Sequence, residues 1–177
     1  SNQTVNVAPV SDKDITKGKK DAKVTLIEYA DYQCPACAAY DPIVNQLLAE
    51  YGDKIFYVYR MFPLTNIHPN AVISGQAAYA ANKQGKFFEM DDILYENQKD
   101  WSTLSDPRGT FNDYARDLKL DVVSGFRAQN LRNYELSVFK IVEKFATPKE
   151  IAMLTLGKKT AFEICLRKLT NRLWTSS

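Results

Sequence analysis

Two cysteines three positions apart, in Cys34-Pro35-Ala36-Cys37, fall where a strand-like run gives way to a helix-like one, and this junction constrains the fold more than any other feature of the chain. The preceding run, Val24-Thr25-Leu26-Ile27-Glu28-Tyr29, is β-branched, aliphatic and aromatic, as a buried strand requires. The following run carries the helix formers Ala38, Ala39 and Leu47. Val44, Leu47, Leu48 and Tyr51 recur at helical spacing before Gly52. The pattern predicts strand, turn and helix, with Cys34 at the helix start and Pro35 in the first position, where its missing N–H is not needed.

That placement has a chemical consequence. Unpaired N–H groups and the positive end of the helix dipole favour an anion, so the Cys34 thiol is expected to ionise below the value of about 8.5 for a free cysteine. Cys34 then acts as attacking thiolate and leaving group, and Cys37, one turn further on, resolves the mixed disulfide. Ala36 adds no charge, so the couple is expected between roughly −120 and −270 mV, the range spanned by reversible cysteine-pair couples. Two other readings compete. A zinc site needs about four ligands, and only Cys165 and His68 are left to join the pair. A structural disulfide closing so short a loop gains little from chain entropy.

The chain has 177 residues, 45% hydrophobic and 25% charged, enough for one core carrying an insertion. No apolar run approaches the ~18 residues needed to cross a bilayer. A net charge of +2 argues against a nucleic-acid partner. Charge is uneven, with 13 Lys and Arg against 17 Asp and Glu through Asp121, and 10 against 4 from Val122 onward. The basic residues there alternate with apolar ones, as on solvated helix faces. Residues 1–20 are polar and without period, and read as a linker or N-terminal extension. A removed signal peptide or an N-terminal anchor is compatible with the first residue, Ser1.

Lys54-Ile55-Phe56-Tyr57-Val58-Tyr59-Arg60 reads as a second strand, which makes a βαβ unit with a parallel sheet and a right-handed crossover. Helices follow. Asn70 is expected to cap one running to about Gln84 and closed by Gly85. Phe87, Met90, Ile93 and Leu94 mark the next, with Trp101 in the connection after it. Asp106-Pro107 reads as a cap and first position, with Phe111, Tyr114, Ala115 and Leu118 as the apolar face. A further helix is expected over 129–145, then a strand or turn at Ile151–Leu156. A last helix buries Phe162, Cys165, Leu166, Leu169 and Leu173, with Cys165 as an inert thiol.

The run from Val24 through Asp31-Tyr32-Gln33 to Cys37 resembles the active-site segment of DsbA-like thiol-disulfide oxidoreductases of the thioredoxin superfamily. So do Tyr51-Gly52-Asp53-Lys54, Arg60-Met61-Phe62-Pro63-Leu64, His68-Pro69-Asn70-Ala71, Gln84–Met90 and Leu94-Tyr95-Glu96-Asn97-Gln98. The resemblance covers roughly residues 10–121. It implies an α/β thioredoxin-like fold with an inserted helical domain: 1–20 the extension, 21–66 the first part with the CxxC, 67–145 the insertion and 146–177 an atypical C-terminal part.

The resemblance also implies roles. Cys34 and Cys37 take the nucleophilic and resolving positions, and Glu28 that of the buried acid under the site, where a raised pKa suits it to exchange protons with Cys37. The competing reading of Glu28 is a partly exposed strand residue. Pro42 matches the proline that kinks the active-site helix, and His68 reads as a packing or hydrogen-bonding residue. Substrate is expected against Pro35 and Ala36 and against Thr147-Pro148, read as the counterpart of the cis-proline loop, although its flanks differ from the family pattern. This departure, with the composition change near Val122, prompts the hypothesis of a reading-frame change there. Together these readings give a thiol-disulfide oxidoreductase acting on cysteine-containing proteins, periplasmic or otherwise extracytoplasmic, with the Cys34–Cys37 disulfide as its redox group and no metal or organic cofactor. A redox partner, membrane-bound or soluble, recycles the couple. The alternative is a catalytically weak or silent peptide-binding or scaffolding protein.

Overall fold

The computed structural model of the chain describes residues 7–122. The helix expected at 129–145, the run at Ile151–Leu156, the final helix with Cys165, and Thr147 and Pro148 lie outside the described residues.

Among the described residues three strands form one sheet in the order β1-β3-β2: β1 (Ile15–Lys17), β2 (Val24–Ala30) and β3 (Ile55–Met61). β2 and β3 are parallel and in register from Val24 opposite Ile55 to Ala30 opposite Met61, while β1 lies antiparallel on the far side of β3. The central strand is buried along its whole length, which is why Ile55–Met61, Arg60 excepted, reads as apolar and aromatic rather than alternating. Between the parallel strands runs α1 (Pro35–Tyr51), which continues through Pro42 and ends at a 3-10 turn, Gly52–Lys54. Strand, helix and strand thus fall as the sequence predicts, within a residue at each end.

Residues 1–20, read as a linker, are corrected in part by β1. A three-residue strand carries too little periodicity to be seen in sequence; its partner defines it. Arg60, on β3 and only 8% exposed, ties down the preceding segment: its guanidinium donates to Asp14, to the carbonyls of Ala8 and Pro9, and to the Tyr29 hydroxyl. Gly18 follows β1 at φ +91°, where any Cβ would run into the Ile55 carbonyl.

Among the described residues four helices come after β3: α2 (Ala71–Asn82), α3 (Phe87–Glu96), α4 (Gln98–Trp101) and α5 (Arg108–Asp117). The alanines of α2 are small enough to let α3 and α5 approach it closely. Trp101 lies in α4 rather than in a connection. It is fully buried, its indole N–H donates to the Leu94 carbonyl at 2.9 Å, and its ring meets Phe111 edge-on. The Asp106-Pro107 start is shifted by one: Pro107 holds the cap position and Asp106 accepts the Arg108 N–H. Asn70 occupies the α2 cap position without capping the helix through its side chain. Its amide donates to the Ser102 and Leu104 carbonyls instead, joining α2 to the loop after α4.

Candidate active site

The strand β2 delivers the chain to Asp31-Tyr32-Gln33, which turns into α1 with Cys34 as the residue before its first turn and Pro35 at its start. The turn is held by the Cys34 N–H donating to the Asp31 carbonyl at 3.0 Å. Both cysteines are free. Cys34 is 6% exposed, and Pro35 beside it is open to solvent.

The electrostatics follow from this geometry. The Cys34 thiol is lowered to about 6, first by a hydrogen bond from the Cys37 thiol and then by the backbone N–H groups of Cys37 and Ala36; burial and the negative charge of Asp31 oppose the shift. Cys37 moves the other way. As donor to Cys34 it is held protonated, and desolvation and the charges of Cys34 and Glu28 push it further up. One sulfur is therefore an anion in neutral solution while its neighbour keeps its proton.

Glu28 lies on β2 facing α1. Burial raises its carboxyl, against the bond it accepts from the Tyr57 hydroxyl at 2.6 Å. A wider acidic and phenolic layer surrounds it that the sequence reading left out. Tyr32 donates to Asp91 at 2.7 Å, the hydroxyls of Tyr59 and Tyr95 are paired at 3.0 Å, and Asn45 donates to both Asp41 and Asp92. Asp41 is pushed up to about 7, mainly by burial and then by the charges of Asp92, Glu28 and Glu96. Asp91 is raised for the same leading reason. Asp41, Asp91 and Asp92 bring carboxylate oxygens within 4.8 Å of one another, the spacing of a cation site, but Asn45 and Tyr32 already supply donors to them. The signal for Asp41 was available in the sequence, since it follows Cys37 by one helical turn.

The helical block reaches back to the cysteine loop through amides. The buried side chain of Gln98 donates to the Tyr32 carbonyl at 2.6 Å and to the Cys34 carbonyl at 2.9 Å. Gln33 donates to the Ser102 carbonyl and accepts the Asn70 N–H. His68, read as a bonding residue, contacts Asp31 through Nδ1 at 2.7 Å. Of the predicted site residues, Cys34, Cys37, Glu28, Pro35 and Ala36 stand together here. Thr147 and Pro148 belong to the residues not described.

A family model described as Thioredoxin matches residues 10–176, running on past residue 121 where the resemblance read from the sequence ends. Among solved structures the fold is similar to Wolbachia pipientis alpha-DsbA1, at 19% identity and a TM-score of 0.64 over 78% of this chain and 73% of that one. It is also similar to MdbA, a thiol-disulfide oxidoreductase from Corynebacterium diphtheriae, at 21% identity and 0.58 over 77% and 71%. Curated relatives include the Na(+)/H(+) antiporter NhaA 3 of Salinispora tropica, 45% identical over 87 residues, which make up 49% of this chain and 13% of the antiporter. NhaA 1 of Mycolicibacterium vanbaalenii is 40% identical over 95 residues, 52% and 15%. The chain thus spans 13% and 15% of the length of these two relatives.

Proposed function

The chain belongs to the thioredoxin family, with a DsbA-like fold, and on that basis we propose that it is a thiol-disulfide oxidoreductase exchanging disulfides with protein cysteines through Cys34 and Cys37. The observation that carries this reading is the division of labour between the sulfurs: Cys34, at the amide-lined start of α1, is lowered to about 6 while Cys37 is held protonated.

In the oxidising direction a substrate thiolate attacks Cys34 of the Cys34–Cys37 disulfide. The S–S bond breaks, its electron pair passes to Cys37, and Cys37 takes up a proton, with Glu28 as the nearby acid that supplies it. A second substrate thiolate then attacks the substrate sulfur of the mixed disulfide and expels Cys34 as thiolate. The substrate loses two electrons to the pair, and a partner of disulfide or quinone chemistry must remove them. No other cofactor enters these steps.

A pair of this kind delivers disulfides where thiols are not kept reduced, which supports a periplasmic or otherwise extracytoplasmic setting. Among the described residues no helix is long and apolar enough to cross a membrane. Ion exchange is not carried over from the antiporters, because the match covers so small a share of them. The test is a dithiol-oxidation or insulin-reduction assay on wild type beside Cys34→Ser: activity lost in the variant supports the reading, and equal rates refute it.

A further inference from the structure

The loop that presents Cys34 is gathered around one buried carboxylate. Asp31, its side chain 1% exposed, accepts the Gln33 N–H through Oδ1 at 2.8 Å; Oδ2 accepts the Leu64 N–H at 2.9 Å and contacts His68 Nδ1 at 2.7 Å. Its backbone carbonyl accepts the Cys34 N–H. One residue thereby joins the cysteine turn to the loop after β3. A neutral amide in its place could keep the Gln33 bond through its one oxygen, but would turn an NH2 toward the Leu64 N–H. What the carboxylate adds is negative charge beside a sulfur that must itself become negative.

We propose that Asp31 is a positioning residue with two opposed effects on Cys34, fixing the loop that holds the sulfur while its charge restrains thiolate formation, so that it sets how oxidising the couple is. This rests on the reading of Cys34 and Cys37 as the redox pair. The Asp31 charge is among the influences that push Cys34 upward, against the hydrogen bonds that pull it down. A more stable thiolate stabilises the reduced form and makes a couple more oxidising. Asp31 therefore holds the pair at a less oxidising poise than the helix start alone would give. Among the described residues, the charged or titratable groups named in this balance are Cys37 on α1, Asp31 on the turn, His68 on the loop after β3, and Glu28 on β2, which acts on Cys37.

The experiment is the pH dependence of iodoacetamide alkylation of the reduced full chain, with the alkylated residue located by fragment-ion mass spectrometry so that Cys37, on the same peptide, and Cys165 do not interfere. Wild type is compared with Asp31→Asn and Asp31→Ser, both neutral and both able to accept the Gln33 N–H. The Cys34 midpoint is expected to fall in either variant, giving about threefold more thiolate at a fixed pH below the midpoint, a shift of roughly half a unit. The glutathione equilibrium should move toward the reduced form by a similar factor. A midpoint unchanged or raised in a folded variant overturns the proposal, as does failure of both variants to melt cooperatively, which would make Asp31 structural only. A wild-type midpoint at the ordinary value of about 8.5 would instead refute the redox reading beneath it.

Discussion

Glu28 and Tyr57 meet across the parallel pair β2 and β3, the Tyr57 hydroxyl donating to Glu28 Oε2 at 2.6 Å although Glu28 stands in register with Tyr59. The bond holds the carboxyl on the face turned toward α1, where its charge acts on Cys37. Burial keeps that carboxyl above its ordinary value, which favours its protonated form close to Cys37 and suits it to exchange a proton with that thiol. Glu28→Gln keeps the shape and a hydrogen-bond acceptor but removes the exchangeable proton. Resolution of a mixed disulfide by Cys37 should slow on the order of 10²-fold at pH 7, seen as accumulation of the mixed disulfide on non-reducing gels. Attack on Cys34 should be little changed. An equal slowing of both steps would show that Glu28 acts only through structure.

Cys34 gives the reduced chain a distinct pH signature. Its thiol is lowered to about 6 in the fold from about 8.5 when free, so the fold favours the ionised form. That contribution is fully present above the unfolded value and is lost as pH falls toward 6 and below. Comparing the melting of reduced wild type with Cys34→Ser, the wild type should gain relative to the variant between pH 5 and 8. About 1 kcal/mol after discounting for solvent screening corresponds to about 2–4 °C. Serine also suits a helix start, so the change in the difference with pH is the decisive quantity. A difference constant across that range would contradict a lowered Cys34.

The cysteine turn was legible because local rules and tertiary role agree there: a β-branched run, a proline in the first helical position and an aliphatic helical period all point to one geometry. Asp31 and Gln98 were not. Each acts through partners far along the chain, Asp31 through Leu64 and His68 and Gln98 through Tyr32 and Cys34, and a polar residue next to a turn looks the same in sequence whether buried or solvated. The tyrosines of β3 were legible as core, but their hydroxyl partners depend on which face of the sheet α1 and α3 cover. β1 was missed for a related reason, since three residues are too few to show a period and only pairing with β3 defines it.

Arg60 anchors the N-terminal segment to the sheet. Its guanidinium spans Asp14, two backbone carbonyls and Tyr29, and both members of the ion pair are largely buried, with side chains 8% and 12% exposed. Arg60→Met leaves the Asp14 carboxylate and the Ala8 and Pro9 carbonyls without this donor, and should destabilise the chain by about 3 kcal/mol. Limited proteolysis would show the early residues cut first, ahead of global unfolding. Equal protease resistance in variant and wild type would mean that the segment is held by other contacts.

The acidic layer under the site predicts a linkage opposite in sign to that of Cys34. Asp41 is raised to about 7, burial first and the neighbouring carboxylates after it, whereas in the unfolded chain it returns to about 3.9. Between those values the folded chain binds the extra proton, so stability is full below the lower value and declines as pH rises through the upper one. Glu28 and Asp91 are raised as well and add to the decline. Asp41→Asn keeps an oxygen that can accept from Asn45 while removing the ionisation. The variant should therefore melt higher than its parent at pH 8, by about 2–4 °C for about 1 kcal/mol, and the advantage should disappear at pH 4. Because Cys34 works in the reverse direction, the comparison belongs in a Cys34→Ser background, where the acids act alone. A parent whose melting temperature rises from pH 5 to 8 in that background would show that Asp41, Asp91 and Glu28 are not held protonated by the fold.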